Sequence, residues 1–359
     1  MNTKIIKTFN NQGFAGCATF FIGAICILSF ASASSKGAFE GLKICSSIII
    51  PSLFPFTVLS ILLQKSGGLL WIGNLINKVS FPLFRINGTD FSVIIISLIG
   101  GYPIGSKIIN ELYKSNQIDK KTAKRLLRFC VNPSPAFIVS ALGVNVLKSK
   151  TAGLIFLFSN TTACIILNLI FNRSRIDNIK KPKEQLNCGE NFSDSFVFSV
   201  LEGAKIILNI CAFVTLFSSI AEIIKPAFED RNFYALFCPF LEISFGIIDI
   251  TKSGLPMYFY SFLLAFGGAS TICQIKQSAD NLKPSFFEIV FYRIIHGSLA
   301  TVISYLLFKL FPQTSAVFSN GTAITFGGYA LFFPSIMLII FSVLFLMFFS
   351  YENKTTNNN

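Results

Sequence analysis

The chain has 359 residues, 52% of them hydrophobic and 13% charged, with a mean hydropathy of +0.64. That is too apolar for a soluble protein, and several runs approach the roughly 20 residues that span a bilayer. A net charge of +13 would suggest nucleic acid in a soluble protein, but here the basic residues gather between apolar runs, as cytoplasmic loops do. The expected surroundings are therefore membrane lipids, with no nucleic acid partner.

The N-terminus places Lys4 and Lys7 before an apolar run from Phe14 to Phe30, followed by Ala31-Ser32-Ala33. A cleaved signal sequence and an uncleaved first helix both fit, and residues 1–36 are taken as an uncleaved transmembrane helix. Apolar segments then run from about 44 to 64, 69 to 84, 91 to 105, 133 to 147 and 152 to 171. The least hydrophobic linker, 173–195, carries Arg173, Arg175, Lys180, Lys181 and Lys183 and is expected to be cytoplasmic. Further segments lie near 196–224, 232–250, 255–274, 286–311 and 328–350, and a polar tail fills 351–359.

Landmarks recur between the two halves, 37–172 and 196–350. Glu40-Gly41-Leu42-Lys43-Ile44 is echoed by Glu202-Gly203-Ala204-Lys205-Ile206, Pro82-Leu83-Phe84-Arg85 by Pro239-Phe240-Leu241-Glu242, and Gly100-Gly101 by Gly267-Gly268. Five segments per copy is an odd number, so a tandem copy inserts in reverse. Between the third and fourth segments of the first copy lie Lys107, Lys114, Lys120, Lys121, Lys124, Arg125 and Arg128, against only Lys276 and Lys283 in the loop taken as equivalent. That contrast is what opposite-side placement predicts. The alternative, two parallel copies or no duplication, requires one short segment, 91–105, to be re-entrant.

Gly100-Gly101-Tyr102-Pro103-Ile104-Gly105-Ser106-Lys107 ends an apolar run with helix-breaking residues. Backbone groups freed there must face protein, water or a ligand, so Ser106 and the exposed backbone are candidate solute contacts. The plainer reading is a helix ending at the interface with Lys107 as anchor. Gly267-Gly268, followed by Ser270, Thr271 and Gln274, is the partner motif; close helix packing through small residues is its plainer reading. Asn132-Pro133-Ser134-Pro135 can start a helix whose first amides face inward, or simply begin one at the interface.

Glu242 sits within an apolar segment and must be paired, protonated or hydrated; Arg85 and Arg293 are the conceivable partners. His296, the single histidine, shares a helical face with Arg293 and is either functional or satisfied by a neighbouring helix. The pairs Glu40/Lys43 and Glu202/Lys205 read as structural i,i+3 pairs. The nine cysteines form no CxxC pair, and no P-loop, HExxH, GxSxG or paired-carboxylate motif occurs. An enzyme, a metal site and a cofactor are therefore not expected.

With Gly100 to Lys107, Asn132-Pro133-Ser134-Pro135-Ala136-Phe137, Leu241-Glu242-Ile243-Ser244 with Gly246, and Gly267-Gly268 with Ser270 and Gln274, the sequence resembles the sporulation integral membrane proteins that carry nucleoside-recognition, or Gate, domains. The resemblance spans about Gly37 to Phe345. It implies a multi-pass inner-membrane protein of endospore-forming bacteria, required for spore formation, with repeats related to those of nucleoside transporters and ferrous-iron permeases. Its solute does not follow from membership, and Ile272 stands where the family often has a histidine. The resulting expectation is an all-α polytopic membrane protein of two inverted five-helix Gate-like repeats plus an N-terminal helix, with broken or re-entrant helices. In it a small polar solute meets the two glycine motifs, while Glu242, Arg293 and His296 tune the charge. A non-transporting scaffold or signalling component of the spore envelope is the alternative, and self-association or spore-envelope partners fit both.

Overall fold

A computed structural model describes residues 11–84, 88–171, 191–251 and 253–311. Lys4, Lys7, Arg85, most of the basic linker, segment 328–350 and the polar tail lie outside the described residues. Among those described, all regular structure is helical, as a bilayer requires of segments that must satisfy their backbone internally.

Helix α1 (Asn11–Ser29) shows its Phe and Leu side chains outward, Leu28 being 77% exposed. Helix α2 (Ala31–Ile44) continues through a π-helical turn (Cys45–Ile49) into α3 (Ile50–Lys65), so the first long span starts at Ala31 rather than near 44. Its opening residues have low hydropathy because serines and charged residues are mixed among them, while the glycines there are what the neighbour demands. A side chain on Gly37 would strike the Ser218 carbonyl, and one on Gly41 would sit 3.0 Å from the Thr215 Cα. Both partners belong to α9 (Phe192–Ile224), which runs antiparallel to α2–α3: Lys36 pairs with Glu222 at one end and Lys65 lies over Phe198 at the other.

Helix α4 (Gly68–Phe84) leads to α5 (Gly88–Gly100), and Gly101 at φ 94° separates α5 from α6 (Tyr102–Lys114). Here the chain folds back, with Gly105 against the Ser97 side chain and the Cys130 carbonyl. Helix α7 (Lys120–Phe129) is interrupted at Cys130–Pro135 before a π-helical stretch (Ala136–Val146) and α8 (Lys150–Phe171). In the second half α10 (Arg231–Leu241) folds back at Glu242 into α11 (Ile243–Ile250), with Gly246 against the backbone of Cys238 and Pro239. Helices α12 (Tyr260–Phe266) and α13 (Gly268–Ser278) are interrupted at left-handed Gly267 without folding back. The long α14 (Phe286–Leu310) runs antiparallel to α8, Phe171 meeting Tyr292 and Phe156 meeting Phe308.

Among the described residues two such fold-backs and two such interruptions occur, and the landmark pairing sets one of each against the other. Gly101 behaves like Glu242, a point of reversal, while Gly267 behaves like the Asn132–Pro135 break. The loops after α6 and α13 also lie together at one end, where Asn110 donates to Asp280 at 2.7 Å and Arg128 pairs with Glu288 at 3.0 Å. The basic count of those two loops therefore does not report opposite-side placement. The loop after α11, the other reversing element, lies at the far end, where Ile250 packs with Phe156 and Tyr260. Segment 91–105 is the reversing one.

Candidate functional site

The four chain breaks converge. Gly101 lies against Ser134, a side chain there coming within 3.3 Å of the Ser134 Cβ, and Gly268 lies against Pro239 and Leu241, whose carbonyls a side chain at Gly268 would approach to 2.8 and 3.1 Å. Each reversal therefore rests on the interruption of its own half. Two side chains then join the halves: the Tyr102 hydroxyl donates to the Leu264 carbonyl, and Arg293 donates to Val131, to Arg128 at 3.0 Å and to Ala265 at 3.4 Å. The guanidinium covers carbonyl ends of α7 and α12, where the helix dipole favours a cation. Glu242 does the converse, its carboxylate accepting from the Phe245 amide at 2.5 Å at the start of α11. Its partner is thus a helix end and not Arg293, and Arg85 falls outside the described residues.

Several expected solute contacts are used internally. Ser106 donates to the Pro103 carbonyl at 3.0 Å, Ser134 accepts from the Phe137 amide at 3.2 Å, Ser270 accepts from Gln274 at 3.2 Å, and Asn132 donates to the Cys164 sulfur at 3.5 Å. Gly100 packs on Ile104, Thr271 lies beneath Gly267, and Pro133 is buried within its break. His296 meets the Asn160 carbonyl of α8 at 3.0 Å and is 1% exposed. Neither Arg293 nor His296 reaches the polar cavity that the fold provides.

That cavity, about 190 Å³, lies between α6, α9 and α13. Pro103, Lys107 and Gln274 line it as the motifs anticipate, joined by Glu202, Lys205, Asn209, Gln277, Ser278 and Asp280. Lys107 bridges α6 to α9 through Glu202 at 3.0 Å and holds Glu111 at 3.6 Å, while Glu202 also reaches Lys205 at 3.4 Å. Glu202 is therefore more than half of an i,i+3 pair. A readable signal existed: Glu202, Lys205 and Asn209 form a polar stripe at i, i+3, i+7 on an otherwise apolar helix, and Gln274, Gln277 and Ser278 another. The two lysines and two acids balance, leaving an amide-rich, net-neutral lining between the N-terminal part of α6 and the C-terminal part of α13.

The chain is 23% identical over 354 residues to the sporulation integral membrane protein YlbJ of Bacillus subtilis (strain 168), covering 86% of this chain and 83% of that protein. No family model matches it, and no solved structure does. With five helices among the described residues long and apolar enough to cross a membrane and a relative that is an integral membrane protein, the chain is a multi-pass cell membrane protein.

Proposed function

We propose that the protein binds a small, net-neutral polar solute in the cavity between α6, α9 and α13, gates its passage across the membrane, and serves spore formation. The observation that carries the solute reading is the cavity itself, a balanced polar chamber of about 190 Å³ that Pro103 and Lys107 of the first half line together with Glu202 and Gln274 of the second. The sporulation role rests on the similarity to YlbJ. The halves are read as inverted Gate-type copies, each with one reversing and one interrupted element. The antiparallel course of α2–α3 and α9 supports this, as does the way each reversal rests on an interruption. Gating follows from one half rocking against the other about the contacts of Tyr102 and Arg293, with no chemical step catalysed.

Uptake of labelled nucleosides, dipicolinate and metal ions into proteoliposomes tests the reading, with Lys107→Ala as the comparison. Saturable uptake of a neutral polar solute, lowered by the substitution, is expected; the absence of flux for any polar solute would sink transport. A second reading, a non-transporting scaffold of the spore envelope, is favoured by the capping of the breaks by Tyr102, Arg293 and Glu242, which leaves them satisfied without a ligand. Under that reading spore formation survives Lys107→Ala unchanged.

A further inference from the structure

A second polar locus lies where α8, α12 and α14 meet, away from the cavity. Ala163, Ala265 and Ala300, one from each helix, form a contact of small side chains there. Asn160 is three residues before Ala163, Ser261 four before Ala265, and His296 and Ser304 four either side of Ala300, spacings that put all four on the faces meeting at the alanines. They are 2%, 0%, 1% and 0% exposed respectively for Asn160, Ser261, His296 and Ser304. Each carries an atom without a hydrogen-bond partner: Asn160 Oδ1, Ser261 Oγ, His296 Nδ1 and Ser304 Oγ. Hydroxyls nearby on the same helices behave differently, Ser159 closing onto Ile155 at 2.7 Å and Thr301 onto Gly297 at 2.8 Å.

The bonds these residues do make fix what is missing. A carbonyl only accepts, so His296 Nε2, 3.0 Å from the Asn160 carbonyl, carries the proton; in the neutral ring Nδ1 is then a bare acceptor. Asn160 Nδ2 donates to the Phe156 carbonyl at 2.9 Å, which makes its Oδ1 an acceptor as well. Two buried acceptors left bare on hydrogen-bonded neighbours call for a donor, and two hydroxyls that can turn either way stand on the same faces. We propose that this seam is a binding site for a small ligand donating hydrogen bonds in two directions, water or ammonium, held by His296 Nδ1 and Asn160 Oδ1.

The chain has one histidine, so its two ring nitrogens give assigned signals directly. The test is nitrogen NMR on the full-length protein in lipid nanodiscs, labelled with 15N-histidine. The proposal expects one protonated nitrogen and one unprotonated nitrogen displaced from the free-acceptor position. A cross-peak to water identifies water as the occupant; a displacement produced by ammonium chloride and not by sodium chloride identifies ammonium. Asn160→Leu should return the signal toward the free-acceptor position, and Asn160→Ala, a milder change should the first not fold, should do the same. An unprotonated nitrogen already at the free-acceptor position and indifferent to both donors overturns the proposal, as does a ring protonated on both nitrogens, or no change in a well-folded variant.

Discussion

Arg293 on α14 donates to the carbonyl of Val131, 162 residues earlier, at the point where α7 gives way to the proline break. The same guanidinium serves Arg128 and Ala265, so a single side chain holds ends of interrupted helices from both halves. Arg293→Met strands these carbonyls in a buried place, at a cost of about 1–3 kcal/mol each. Thermal unfolding in detergent should show a large fall in midpoint. Arg293→Lys should recover only part of it, since an ammonium cannot reach several carbonyls in a planar fork.

Glycine substitution at the breaks gives a ranking. Gly254, at φ 70° with open space around it, should tolerate alanine at about 1–2 kcal/mol, the strain of a left-handed residue alone. Gly268→Ala adds a clash with the Pro239 carbonyl, and Gly101→Ala combines φ 94° with ψ −177°, a region only glycine visits readily. Both should lose more stability than Gly254→Ala. Equal unfolding midpoints for the three would contradict the geometry.

The Lys107–Glu202 bridge is partly exposed, at 30% and 20% of the two side chains. Its coupling energy in a double-mutant cycle should stay below about 1 kcal/mol. Solute binding should be far more sensitive, falling for Lys107→Glu and for Glu202→Lys and recovering in part when both are combined.

Asp119 caps α7, accepting from the Thr122 amide at 2.9 Å. Hydrogen bonding from Thr122, through its side chain first and its amide after that, holds the Asp119 carboxyl below its ordinary range. A depressed folded value means that the contribution is present above the unfolded value and lost as pH falls through the folded one. Asp119→Ala should cost about 1 kcal/mol at neutral pH, and the gap from the parent should close in acid, as unfolding curves at several pH values would reveal.

Sidedness follows from the way the loops gather. In a background freed of native cysteines, single cysteines at Lys121 and Lys283 should be labelled by an impermeant reagent from the same face. One at Ser253, in the loop after α11, should be labelled from the opposite face. Opposite labelling of Lys121 and Lys283 would refute the arrangement of α6 and α13.

The helical class and most spans were legible because hydropathy runs decide them, and the breaks at Gly101 and Gly267 were legible because glycine marks them. Which way the chain leaves a break was not. Reversal at Gly101 depends on Gly105 meeting Ser97 and Cys130, and reversal at Glu242 on Gly246 meeting Pro239, contacts that no local pattern announces. Matching the two glycine doublets therefore paired a reversal with an interruption. The stretch from Ala31 to Lys43 escaped hydropathy because its serines, Lys36, Glu40 and Lys43 lower the average, while its packing rests on Gly37 and Gly41. Of the residues lining the cavity, Pro103, Lys107 and Gln274 belong to the two glycine motifs, Asn209 and Gln277 only to the polar stripes of their helices, and Asp280 to neither.

Since Gly101 is seated on Ser134 and Gly268 on Pro239, each tip and the strand of chain beneath it make one wedge. Such wedges have little freedom to deform singly. In the proposed gating they shift as blocks, with the Tyr102 and Arg293 contacts as the pins about which one block turns on the other.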